Sequence, residues 1–338
     1  MIMRNASAVA ILLFSVTLSH AQDVPLFTLH DPLNIRATGS IKSIKKSSND
    51  STFVAGKFEF EENGTWTLVK VESRVRGNWR LRNCYFPPLK VEFKKKDVKG
   101  TVFEGNKSLK VVFPCLNTSS KNFLVRKEYI CYRMYETVSP YYFRTRLANL
   151  QLTEISRKKP RTYELETFFV EDNSMVAKRS NAKVVKSKGI HPAAFDEVQS
   201  VRNDFFQYMI GNADWSMVYQ HNSNTLYAGN KFIPLSYDFD MSGFVDASYA
   251  HENAPTLGTG DPRDRVYRGF CKSPDVMQQI REEYLPKEKA VHAVIDEEAS
   301  FFREFEVKVM HDYINGFFDI LRNDALFKTD IVDQCRTK

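Results

Sequence analysis

The chain has 338 residues, 43% of them hydrophobic and including 26 Phe and 15 Tyr, so it can bury a large core and is long enough for two lobes. Its 48 Lys and Arg against 41 Asp and Glu leave a formal charge of +7, much of it in short runs at 94–96 and 157–159. That modest, unclustered excess favours acidic or phosphate-bearing partners and argues against a nucleic-acid interface.

Residues 1–21 carry a basic Arg4, an apolar run at 8–16 and Ser19-His20-Ala21 before Gln22, the pattern of a secretory signal peptide. The mature chain is therefore expected to begin near Gln22 and to be exported to a periplasmic, surface or secreted location. No later run approaches the ~20 apolar residues of a membrane span, so no transmembrane segment is expected after the leader. Cys84, Cys115, Cys131, Cys271 and Cys335 have neither CxxC nor Cys/His spacing, which argues against structural zinc. In an oxidising compartment they predict one or two disulfides and one remaining thiol, with the pairing open.

From 23 to 113 the pattern is β. Residues 58–71 alternate around Asn63-Gly64, a hairpin signal, and Val69, Val71, Ser73 and Val75 continue one face up to the Arg76-Gly77-Asn78 turn. Leu89, Val91 and Phe93 then point one way with Lys90 and Glu92 opposite, and Leu109, Val111 and Phe113 mark another strand. Leu124, Cys131, Met134 and Val138 predict a helix stopped by Ser139-Pro140. Strands at 142–155 and 162–170 flank a basic turn, a loop with short helices covers 174–200, and the tail from Pro274 is helical. The division expected is a β-rich part with one helix, 22–170, and a second part, 171–338.

The stretch 205–245 carries the candidate chemistry. Val201, Phe205, Tyr208 and Met209 have helical spacing and Gly211 closes the run, which puts Asn212, Ala213 and Asp214 on a loop after a buried helix. Residues 225–227 and 231–240 read as two strands around Ala-Gly-Asn, with Asp238 and Asp240 on the face opposite Ile233, Leu235, Tyr237 and Phe239. Two carboxylates on one strand face repel unless a positive charge lies between them, and a divalent metal is the expected partner.

Arg76-Gly77-Asn78, Lys90 in PLKVEF, Arg126, Glu171, Gly211-Asn212-Ala213-Asp214, His221-Asn222 and Asp238-Phe239-Asp240 together resemble the CotH family of atypical, secreted or spore-coat protein kinases, over about residues 70–245. The resemblance implies an α+β, atypical protein-kinase-like two-lobe fold with a β-rich N-terminal lobe and a mostly helical C-terminal lobe. It also implies phosphoryl transfer from ATP or another nucleotide, with Mg or Mn, to a hydroxyl of a protein or envelope component. Under it Asp214 handles the acceptor hydroxyl, Asp238, Asp240 and Asn222 hold metal, and Arg76, Lys90, Arg126 and Glu171 serve the nucleotide. Asn224 competes with Asn222, since Asp214 and Asn222 are eight positions apart. Two other functions stand beside this one. One is a catalytically dead kinase-like envelope or binding protein. The other is a metal-dependent glycosyltransferase reading Asp238-Phe239-Asp240 as a nucleotide-sugar motif, for which an alternating parallel sheet would be required.

Overall fold

The computed structural model describes residues 24–47, 52–115, 122–155 and 159–337, so the expected leader at 1–21 lies outside it. Seven strands, β1 (Leu33–Gly39), β2 (Val54–Glu62), β3 (Thr65–Val75), β4 (Leu89–Glu92), β5 (Ser108–Val112), β6 (Thr145–Glu154) and β7 (Arg161–Val170), close into a barrel in the order β1-β2-β3-β4-β5-β7-β6. The β2–β3 hairpin turns on Asn63 and Gly64, at φ 51° and 76°, the left-handed pair that a two-residue hairpin turn requires.

Closure overturns the expected two-lobe kinase-like fold. β1 pairs in parallel with β6, from Leu33 opposite Ala148 to Gly39 opposite Glu154, while the neighbouring pairs are antiparallel. A two-lobe kinase fold would leave the β-rich half as a sheet under a separate helical lobe; here that sheet is sealed by a strand pair more than a hundred residues apart in sequence. Each residue of β1 gains a partner on its second edge, which removes the exposed edge that an open sheet must protect.

Period-two alternation sorts the strands into two cores. Phe169 points into the barrel with Ile35, Phe60, Val91 and Leu150, whereas its neighbours Phe168 and Val170 point outward into the helical core. The helix predicted from Leu124 to Val138 forms as Asn122–Val138, and it covers that outer face by packing Tyr129 and Tyr132 edge-on against Phe168. Five short or medium helices precede the central one: α1 (Ile41–Ser47), α2 (Asn78–Asn83), α3 (Lys95–Val98), α4 (Asn122–Val138) and α5 (Asn173–Arg179).

A second, antiparallel sheet has the order β10-β9-β8, from β8 (Lys183–Val185), β9 (Ser223–Ala228) and β10 (Lys231–Ser236). Between β8 and β9 runs α6 (Glu197–Met209), capped by the Asp196 carboxylate on the Gln199 amide and buried at every residue from Ser200 to Met209. Its Phe206 meets Tyr135 and Phe239, and its Phe205 meets Tyr267, Tyr284 and Phe327, so α6 is the axis of the helical core. The remaining layer is α7 (Ser248–Leu257), α8 (Pro274–Tyr284), α9 (Glu288–Glu297) and α10 (Glu304–Arg322). Cys84 bonds Cys115 and Cys271 bonds Cys335, leaving Cys131 as a buried thiol. Among the described residues no helix is long and apolar enough to cross a membrane.

Candidate functional site

Outward-facing residues of the barrel, the loop after α6 and the segment after β10 meet at one place. The loop is set by Gly211, at φ 64°, where a Cβ would lie 2.0 Å from the Tyr313 hydroxyl, so a side chain here would both strain the backbone and displace Tyr313. From there a buried chain of side-chain hydrogen bonds runs to the loop. Ser236 Oγ donates to Asn203 Oδ1 at 2.5 Å, Gln207 Nε2 to Ser236 Oγ at 2.8 Å, and Asn212 Nδ2 to Gln207 Oε1 at 2.9 Å. Asn212 Oδ1 in turn accepts the Asp214 amide at 3.0 Å, so the backbone of Asp214 is held by a polar relay that starts inside α6.

Asp214 is bracketed on both oxygens. His221 Nε2 lies 2.7 Å from Oδ1, and Asn222 Nδ2 donates to Oδ2 at 3.0 Å and to the Asp214 carbonyl at 2.8 Å. The bond to Asp214 raises the His221 pKa above its ordinary value, against partial burial, which lowers it. Asn222 rather than Asn224 is therefore the partner of Asp214; Asn224 reaches Asn173 at 3.4 Å. Because Asn222 spends its amide nitrogen on Asp214, its Oδ1 is the end left to accept or ligate.

Asp238 and Asp240 converge as expected, for a different reason. β10 ends at Ser236, and Asp238 adopts φ 63°, so strand alternation does not place the pair. Phe239 swings into the core against Tyr132, and the Asp238 amide donates to the Tyr132 hydroxyl at 2.9 Å. The positive charge between the carboxylates is the Arg80 guanidinium, 3.1 Å from Asp238 Oδ1 and 2.5 Å from Asp240 Oδ2, and also 3.3 Å from Glu128 Oε2. The cation that the sequence reading expected between the two aspartates is thus supplied, among the described side chains, by Arg80. Among the described residues no three His, Cys, Asp or Glu side chains are grouped to hold a metal.

One guanidinium serves three carboxylates here, so a proton must take up part of the charge. Burial pushes Glu128 up to about 8 against the pull of Arg80, and Asp240 up to about 6 by the same balance, with Asp238 adding to it. Burial would lower Arg80, but Asp240, Asp238 and Glu128 outweigh it and hold its pKa well above the ordinary arginine value. Asp240 is occupied by Arg80 and by the Tyr249 hydroxyl at 2.9 Å, whereas the Asp238 side chain is 36% exposed.

The cations opposite come from the barrel wall. Arg74 pairs across strands with Lys90, and Lys90 with Lys110, so three basic side chains stand in a row on one face of β3, β4 and β5. Like charges directly opposite one another destabilise a sheet unless anions compensate them. Lys90 is met by Glu92 at 2.9 Å. Lys110 is buried, donates to Asn173 Oδ1 at 3.0 Å and lies 4.3 Å and 4.5 Å over the Phe143 and Tyr237 rings. Burial drives its pKa well down, with Arg76 adding to the effect while Asp172 and Asp238 oppose it. Arg76 lies over the other part of the Tyr237 environment, 5.8 Å from that ring, and makes no ion pair among the described residues.

The structure thus brings Arg76, Lys90, Asp214, Asn222, Asp238 and Asp240 into one region, and it leaves two predicted residues out. Arg126 points away from Glu128, two positions along the same helix, and is held by Glu166 and Glu298 at 2.5 Å each. Glu171 is buried against Arg179 at 3.2 Å and accepts the Arg144 amide, so it braces the end of β7. Sequence reasoning missed Arg80 and Lys110. The signal for Lys110 was present: a lysine inside SLKVVF, a strand apolar on both sides of it, has no solvent face to occupy.

Comparison with protein-family models and with curated proteins returns no match for this chain.

Proposed function

We propose that the chain is an exported phosphotransferase that moves a phosphoryl group from a Mg-nucleotide to a hydroxyl of a protein or envelope component. The observation that carries the reading is the gathering of a buried lysine and an arginine without an ion pair among the described residues, Lys110 and Arg76, over the ring of Tyr237, which precedes Asp238 and whose amide donates to the carbonyl of Asn222, the partner of Asp214. Lysine without a strong carboxylate partner, at the edge of a low-dielectric wall, is stabilised by an anion brought to it, and a polyphosphate supplies several. The side chains resembling the CotH family support the same reading; the barrel contributes no part of it. The two disulfides support export.

Magnesium is bound through few protein ligands, one or two carboxylates with substrate phosphates and water completing the shell. The donors here fit that pattern: the accessible Asp238 carboxylate and the amide oxygen of Asn222 would hold the ion, which would neutralise charge on the phosphates. Asp240 keeps Arg80 in place and so fixes Asp238 indirectly. Lys110, Arg76 and Lys90 would position the phosphates. Asp214, oriented by Asn222 and His221, accepts the proton of the acceptor hydroxyl, and the His221 pair lets that proton pass to solvent.

Isothermal titration with Mg-ATP and Mn-ATP, run separately, together with release of the γ-phosphate to acceptor or water, tests this. Asp238→Asn keeps the left-handed backbone available to asparagine and is expected to lose metal-nucleotide binding, whereas Asp214→Asn keeps binding and loses roughly 10²- to 10⁴-fold in transfer. Binding without transfer by the wild type would favour the envelope-binding reading, which the Arg80 counter-ion also suits. No binding by a well-folded wild type would end the phosphotransferase proposal.

A further inference from the structure

The barrel interior is not uniformly filled. At one end Phe103 gathers Phe58, Phe60, Phe93 and Phe169, with ring centroids 5.2 to 5.5 Å from its own, and packs that half solid. The other half, toward the ends of β1 and β3, holds a cavity of about 210 Å³ walled by Ile35, Val71, Leu89, Val111, Leu150 and Leu152. Of the two buried hydroxyl residues in its wall, Thr167 and Ser73, the Thr167 Oγ1 donates to the Ala148 carbonyl, and the rest of the deep wall is apolar. Protein interiors rarely tolerate an apolar void of this size, because its lining loses contacts that no relaxation restores.

α1 lies across the mouth. Ile41 and Ile44 face the cavity, Lys42 and Lys46 face solvent, and Lys45 Nζ anchors the helix by donating to the Cys84 carbonyl at 2.8 Å, beside the Cys84–Cys115 bond. Thr38, Ser40 and Ser43 rim the opening, and Lys57 adds a further cation. An apolar well with a lysine and three hydroxyls at its rim suits an aliphatic chain with an anionic head.

We propose that the barrel is a binding site for a single-chain anionic amphipath of the fatty-acid class, its chain in the cavity and its carboxylate at the rim beside Lys57 and the Thr38, Ser40 and Ser43 hydroxyls. The site is separate from the acid–base cluster, since it opens on the inward faces of the strands whose outward faces carry Lys90 and Lys110. A cavity of about 150 Å³ admits benzene, so this one takes roughly eight carbons.

Titration calorimetry of the purified full chain with hexanoate, octanoate, decanoate and dodecanoate, against the n-alkanols of equal length, tests the assignment. Affinity should tighten about fourfold for each added methylene up to roughly eight carbons and then level off. The alkanoates should bind more tightly than the alkanols, and Lys57→Glu should erase that preference. Ala37→Phe and Val71→Phe, which fill the well from two walls, should abolish binding. Should either variant fold poorly, spin-labelled octanoate added to wild type should broaden the methyl resonances of Val71, Leu150 and Leu152. Absence of alkanoate binding to wild type, or binding that leaves those methyls sharp, overturns the proposal.

Discussion

Replacing Arg80 by methionine keeps most of its apolar stem and removes the single cation among Asp238, Asp240 and Glu128, all within 3.3 Å of it. Removing one partner of a buried ion pair typically costs about 3–5 kcal/mol, because the other charge stays buried and uncompensated. For a chain of this size that lowers Tm by on the order of 10 °C. The pH dependence is the sharper test. Glu128 and Asp240 have folded-state pKa values, about 8 and about 6, raised above those of unfolded carboxyls. The folded state therefore binds more protons than the unfolded one across that window. By linkage, their contribution to stability is fully present below about pH 4 and is lost as pH rises to about 8. Without Arg80 the carboxyls hold their protons more strongly still, so the deficit of Arg80→Met should be largest at pH 8 and shrink by pH 5. Urea unfolding of both proteins at the two pH values, with m-values compared to guard the two-state treatment, measures it. A deficit below about 1 kcal/mol, or one independent of pH, would refute the account of this cluster.

Gly211→Ala is expected to lose at least about 2 kcal/mol, since its φ of 64° penalises any Cβ and the added atom would meet the Tyr313 hydroxyl at 2.0 Å; a melting curve decides it. Asn212→Leu leaves the Gln207 Oε1 acceptor and the Asp214 amide without partners, which should cost about 2–4 kcal/mol and accelerate hydrogen exchange at Asp214. Alkylation of the denatured, non-reduced protein should label one thiol, Cys131, and labelling of more would contradict the pairing. Cys271→Ser with Cys335→Ser opens a 64-residue loop and should lower stability by ~4 kcal/mol in chemical unfolding.

Local signals sufficed wherever the physics is local. The Asn63-Gly64 hairpin, the inward face of Val69, Val71 and Val75, the helix ending before Ser139-Pro140 and the stop at Gly211 are read from turn chemistry and periodicity, and the structure has each of them. The Asp214 loop was legible for the same reason, whereas the strand alternation expected to pair Asp238 with Asp240 stops at Ser236, and it is Arg80 that both carboxylates meet. Barrel closure was not legible, because β1 finds β6 across more than a hundred residues and no local pattern records which edge a strand will meet. Nor was Arg80 between the aspartates, which the tertiary packing delivers from a six-residue helix beyond β3. The metal expectation followed from charge balance along one strand, while the fold balances that charge from another segment. Arg126 and Glu171 lie apart from that cluster on the same ground, since the fold sets which charged partner comes within about 4 Å, and for these two the partners are Glu166, Glu298 and Arg179. Sequence determined which side chains could carry charge into the interior; only the tertiary structure decided which of them face each other there, because electrostatic pairing is a matter of distance in space and the chain fixes distance only between near neighbours.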